Sequence, residues 1–217
     1  MMKKVCIIGI GLIGGSLAKA IKKTHQSEIV FGYGRDEERL ERAQKGNLID
    51  QYSKNMGEAL DGANMVIIAT PVGSYESILK EMKPHISEDM VISDVGSTKV
   101  SVIEAVKAVF DGVFDNFIPA HPIAGKEKSG FEVSDADLFV NKKVIITPLE
   151  NNNPESIKIL TKMWEEIGAE VDFMTPQSHD DLLGMTSHLP HMLAFSLVNY
   201  LVSQHPEASV YAAGGFK

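Results

Sequence analysis

A chain of 217 residues with 44% hydrophobic and 23% charged side chains has a globular composition and enough length to bury a substantial core, which excludes disordered and fibrous classes. Its formal net charge of −8 argues against a general nucleic-acid binder, which needs a clustered basic footprint, so an anionic ligand requires a local positive site. The single cysteine, Cys6, excludes a disulfide framework within the chain. No apolar run approaches the roughly 18 to 20 residues that cross a bilayer; a cytoplasmic location without membrane contact is expected.

The first predicted strand, Val5 to Ile8, leads directly into Gly9-Ile10-Gly11-Leu12-Ile13-Gly14, a G-x-G-x-x-G motif. A helical pattern from Leu12 to Ile21 and a second strand, Glu28 to Tyr33, complete a βαβ unit. In such a unit the first glycine permits a tight turn, the second lets backbone approach a pyrophosphate, and the third lets helix and strand pack closely. Unpaired N–H groups and the positive end of the helix dipole then hold the phosphates without basic side chains. Gly9, Gly11, Leu12, Ile13 and Gly14 are therefore the expected cofactor-binding residues. Roughly 20 residues after the last glycine, an NAD-preferring unit carries an acid for the ribose hydroxyl. Gly34 stands there instead, followed by Arg35, which suits a 2′-phosphate and favours NADP over NAD. Asp36, one residue on, keeps NAD open.

Further strands are predicted at Met65 to Ala69, Met90 to Asp94, Phe117 to Pro119, Lys143 to Thr147 and Ala169 to Met174. Their alternation with helices at Tyr75 to Met82, Val100 to Phe110 and Glu155 to Ile167 favours an α/β, Rossmann-like, doubly wound and mostly parallel sheet. Ser101 with Glu104 reads as a capping box, and Asn151-Asn152-Asn153-Pro154 as a breaker. From about Ser178 the texture becomes one long helical pattern, His179 to Ser203, in which Pro190 either starts a new helix or kinks a continuous one. The expected division is 1–175 for the dinucleotide-binding domain and 176–217 for the start of an α-helical domain. The apolar Met192 to Val202 stretch suggests homodimerisation.

Candidate chemistry lies where strands end, because ligands of open α/β sheets bind outside the carboxyl ends of the strands. Thr70 and Pro71 end one strand and are expected to shape the nicotinamide pocket; Asp94, in Asp94-Val95-Gly96-Ser97-Thr98-Lys99, ends the next. Ser97 suits either substrate contact or a helix N-cap. His121 follows another strand in a loop stiffened by Pro119 and Pro122, and histidine is the side chain suited to proton transfer near neutrality. His188 and His191 are three apart around Pro190 but lack a third partner at ligand spacing, so no metal site is expected. Substrate contact or capping at a helix start fits them better, and Ser187 could likewise cap the helix that begins near Pro190.

Taken together, GIGLIGGS at Gly9 to Ser16, ATPV at Ala69 to Val72, DVGSTK at Asp94 to Lys99, HPIAGKEKSG at His121 to Gly130 and SHLPH at Ser187 to His191 resemble the prephenate dehydrogenase family, which includes arogenate and cyclohexadienyl dehydrogenases. The resemblance implies NAD(P)-dependent oxidative decarboxylation of prephenate to 4-hydroxyphenylpyruvate, or of arogenate to tyrosine, by a homodimer. It implies that His121 accepts a hydrogen bond or proton from the ring C4 hydroxyl with Ser97 assisting, and that Glu127, Ser187, His188 and His191 line the substrate pocket. Gly214-Gly215-Phe216-Lys217 is similar to the opening of the family's GGF[RK]DxTR segment, whose later arginine binds a substrate carboxylate; the helical domain is accordingly expected to be incomplete here. Another hydroxyacid oxidoreductase, or a truncated non-catalytic dinucleotide-binding module, is the competing reading.

Overall fold

A computed structural model of the protein describes residues 1–205 apart from 111 and 113, together with residue 207. The Gly214 to Lys217 segment lies outside the described residues. The first half of the chain alternates β1 (Met2–Ile8), α1 (Leu12–Lys23), β2 (Ser27–Tyr33), α2 (Glu37–Lys45), β3 (Gln51–Ser53), α3 (Met56–Leu60), β4 (Met65–Ile68), α4 (Tyr75–Met82), β5 (Val91–Asp94), α5 (Val100–Phe110) and β6 (Phe117–Ile118). These six strands form one sheet in the order β3-β2-β1-β4-β5-β6, every pair parallel. The order reverses between β1 and β4, and a ligand crevice opens at such a switch point.

The strands look continuously apolar because helices cover both faces of the sheet. Val5 and Ile7 of β1, with Met65 and Ile67 of β4, pack in one core beneath α1. Cys6 and Ile8, with Val66 and Ile68, pack in a second core against α3, α4 and α5. The period-two alternation of a strand is thus present but hidden, since neither face is polar.

Two sequence expectations change. The segments near 143 and 170 are strands, β8 (Lys143–Ile146) and β9 (Glu170–Phe173), flanking α6 (Pro154–Glu166), but they do not extend the main sheet. They pair with β7 (Ala120–Pro122) in a separate sheet ordered β7-β8-β9, with β7 antiparallel to β8. Pro119, which has no N–H to donate, stops β6 after two residues and marks the passage from one sheet to the other. Strand β3 and helices α2 and α3 were not expected.

The carboxyl-terminal pattern is helical throughout its described part: α7 (Pro176–Leu183), a π-helical turn over Gly184–His188, then α8 (Leu189–Gln204). Pro190 sits in the first turn of α8, where its missing N–H costs least. Ser187 lies inside the π turn and caps nothing; its carbonyl accepts from His191 Nδ1 at 3.0 Å. Met192, Leu193, Phe195, Leu197 and Tyr200 of α8 are exposed. Among the described residues, no helix is long and apolar enough to cross a membrane.

Candidate active site

A crevice of about 450 Å³ opens at the β1/β4 switch point, lined by Gly9, Gly11, Gly34, Arg35, Asp36, Arg39, Thr70, Pro71 and Ser74 among others. Its floor is shaped by absent side chains. Gly9 has φ +97°, and a Cβ there would lie 2.8 Å from the Thr70 methyl. A Cβ on Gly14 would approach the Gly9 carbonyl to 2.1 Å, so α1 sits closer to β1 than any side chain allows. A Cβ on Gly11 would meet nothing within 4 Å, which leaves open space above the helix start. The first intrahelical bond runs from Gly15 N–H to the Gly11 carbonyl at 2.9 Å, so the amides of Leu12, Ile13 and Gly14 precede the helical ladder. No side chain caps α1 and no acid occupies its first turn. A diphosphate fits this cradle on steric and electrostatic grounds.

The rim is basic. The Asp36 carboxylate accepts from the Arg39 N–H at 3.0 Å as N-cap of α2. Arg35 and Arg39 both line the crevice beside Gly34. Arg39 had no sequence signal separating it from the other charges of an exposed helix.

Asp94, expected to face the cofactor, is instead fully buried. One of its oxygens accepts from Ala120 N–H at 3.1 Å; the other accepts from Gly96 N–H at 2.8 Å and from Lys99 Nζ at 2.6 Å. Lys99 is equally buried and also donates to the Ala120 carbonyl at 2.6 Å. Burial pulls its ammonium below the ordinary lysine range while Asp94 opposes that pull. Ser97 is exposed, three residues before α5 begins. It does not cap that helix, and neither does the Ser101 capping box. Ser101 lies inside the first turn, its hydroxyl 2.7 Å from that of Thr98. The cap comes from 80 residues away: the Asp180 carboxylate accepts from Lys99 N–H at 2.7 Å and from Val100 N–H at 2.9 Å.

Asp180 also ends a relay that sequence reasoning missed. His179 Nδ1 lies 2.7 Å from Asp180 Oδ1, and His179 Nε2 lies 2.9 Å from His121 Nδ1. An ionised Asp180 only accepts, so His179 must donate from Nδ1 and accept at Nε2. His121 then donates from Nδ1, and its Nε2 is left with a free lone pair. The Asp180 carboxyl is held below its usual range by the two backbone N–H groups and His179, which outweigh its burial. Burial, with Lys99, His179 and His188 nearby, lowers His121 to about 3. The imidazole is neutral at pH 7, as a hydrogen-bond or proton acceptor must be.

The remaining candidates lie further out. His188 is close enough to act on His121 electrostatically. Glu127 is exposed on the loop after β7, and His191 is exposed on α8. His191 donates from Nδ1 to the Ser187 carbonyl.

A parallel sheet in this order, a glycine cradle at its switch point and a neutral histidine just beyond the edge strand β6 define a nicotinamide-dinucleotide oxidoreductase. The profile described as "Prephenate dehydrogenase, nucleotide-binding domain" matches residues 17–173, and "Prephenate dehydrogenase, dimerization domain" matches 175–217. The chain therefore belongs to the prephenate dehydrogenase family. It is 34% identical to a cyclohexadienyl dehydrogenase of Zymomonas mobilis over all of this chain and 75% of that protein. It is likewise 34% identical to a prephenate dehydrogenase of Bacillus subtilis, of whose length it spans 59%. Among solved structures, the A. aeolicus prephenate dehydrogenase in complex with hydroxyphenyl propionate and NAD+ superposes with a TM-score of 0.92, at 34% identity over all of this chain and 76% of that one. The Synechocystis arogenate dehydrogenase gives 0.82 at 28% identity, covering 98% of this chain and 76% of that one.

Proposed function

We propose that the protein catalyses NAD(P)-dependent oxidative decarboxylation of prephenate, arogenate or both, in tyrosine biosynthesis. The carrying observation is the relay that leaves His121 Nε2 unprotonated at the carboxyl end of the sheet. When bound, the nicotinamide accepts the hydride released from ring C4; the protein's own task is to hold the ring and to take up charge developing at the C4 hydroxyl. His121 Nε2 accepts that hydroxyl's hydrogen bond, with Ser97 assisting. Because burial and the neighbouring Lys99 hold His121 neutral, the substrate's carboxylates raise its basicity on arrival, which ties proton acceptance to substrate binding. Ser187, His188 and His191 face the substrate from the helical region and Glu127 from the loop after β7.

The cofactor we favour is NADP. Gly34 in place of an acid, Asp36 committed to a helix cap, and Arg35 with Arg39 on the rim support this preference. The exposed apolar side chains of α8 and the dimerization-domain match support a homodimer. The one cysteine is fully buried, which is compatible with a reducing cytoplasm.

Initial rates of reduced-nicotinamide formation with prephenate and with arogenate, each with NAD and NADP, test the assignment. Turnover with either acid and a higher kcat/KM for NADP are expected. Arg35→Ala should weaken NADP by about tenfold, the worth of one charge-assisted contact, and leave NAD unchanged. Cofactor binding without turnover on either acid overturns the activity; equal losses for both cofactors overturn the role of Arg35.

A further inference from the structure

The crevice and the relay leave one buried feature unused. Two full charges, Asp94 and Lys99, sit with no exposure beneath the site. Such a pair is a poor way to gain stability, because apolar side chains of similar volume do as well without desolvating two ions. Its value has to lie in what it holds in place.

Its contacts converge on the two residues that precede the candidate catalytic side chains. Ala120, adjacent to His121, is gripped at both ends: its N–H donates to Asp94 and its carbonyl accepts from Lys99 Nζ. That carbonyl belongs to the peptide group whose nitrogen is His121's own. Gly96, adjacent to Ser97, donates its N–H to the other Asp94 oxygen. The approach is close enough that a Cβ on Gly96 would come within 2.8 Å of Asp94 Oδ2 and 2.9 Å of Val72. The main chain of Lys99 meanwhile donates to Asp180, the far end of the relay. One residue therefore holds the backbone beside His121 with its side chain and the carboxylate that sets the His121 tautomer with its amide. Neither Asp94 nor Lys99 lines the cofactor crevice.

We infer that Asp94 and Lys99 are positioning residues, a buried ionic clamp that fixes Ser97 and His121 relative to one another and to the relay. This inference rests on the catalytic reading of those two side chains. The clamp acts through backbone; full burial of Lys99 Nζ keeps it from touching a substrate.

The test compares Lys99→Met, Asp94→Asn and His121→Asn in the same chain, measuring kcat, KM, cofactor Kd and thermal midpoint, with His121 titrated by NMR of labelled imidazoles. Displacement of a reacting group by about an ångström costs on the order of a hundredfold, so kcat should fall tenfold to a hundredfold in both clamp variants. Cofactor Kd should stay within about threefold, since the crevice is elsewhere. The groups facing His121 are Lys99 at the start of α5, His179 and Asp180 on α7, and His188 in the π turn, with Asp94 behind Lys99. Removing the ammonium should raise the His121 titration midpoint; removing the Asp94 charge should not. Opposite responses from two neighbours are not what loss of packing alone produces. Parent-like kcat in both variants beside an inactive His121→Asn overturns the clamp, as does a parallel collapse of kcat, cofactor affinity and thermal midpoint. Near-normal turnover in His121→Asn overturns the catalytic reading and the clamp with it.

Discussion

The cofactor crevice and the histidine relay are built by opposite means. The floor of the crevice is main chain from the turn between β1 and α1, glycines that remove side chains and a helix start whose amides remain free, with side chains confined to its rim. The relay is made of side chains from two distant places, β7 and α7, and its far end is anchored by backbone N–H groups at the start of α5. A site made of main chain is fixed by local conformation, whereas a site made of side chains depends on the packing of whole elements.

Three experiments press on that contrast. Gly14→Ala attacks the crevice alone. Its Cβ would meet the Gly9 carbonyl at 2.1 Å, backbone against backbone, so measurable cofactor binding should disappear in a calorimetric titration; parent-like affinity would show that α1 can shift away from β1. His121→Asn attacks the relay alone, and kcat should drop at least about a hundredfold, the usual scale for losing a general base, with cofactor Kd nearly unchanged. Coupled losses in both quantities would erase the distinction between the two regions.

The smallest effect is on stability. His121 takes a proton only near pH 3 in the folded chain and at its ordinary 6.5 when unfolded, so the unfolded state binds more protons between those values. Stability should therefore be unaffected by this group above pH 6.5 and fall progressively as pH drops towards 3. His179, also lowered by burial, adds in the same direction. Thermal midpoints measured across that range should decline less steeply in His121→Asn; identical slopes would place the acid sensitivity elsewhere.

The same contrast explains what the sequence disclosed. Gly9, Gly11 and Gly14 announce their crevice because turn, approach and packing each demand glycine within six residues of chain. Arg35, read beside a position that lacks an acid, lines the crevice. The relay had no comparable signature: His121 and His179 are 58 residues apart, and nothing in a helical pattern sets His179-Asp180 apart from other polar residues of a first turn. Asp94 misled for a physical reason. The carboxyl end of a strand is where ligands bind, but a lysine five residues later could fold back and draw the carboxylate inward. The capping box at Ser101 failed because the cap is supplied by a residue distant in sequence, which no local motif encodes. The second sheet was hidden because alternation of strands and helices reports parallel crossovers without saying which sheet receives each strand.

The wide sequence separation of the relay also bears on the order in which the protein matures. Asp180 closes a span of 81 residues when it reaches Lys99, while the turn of the glycine cradle is closed within the span of β1 and α1. Contacts that close long loops repay their entropy late, and local ones early. During synthesis the nucleotide cradle is expected to become functional while the ribosome still holds the region that completes the relay.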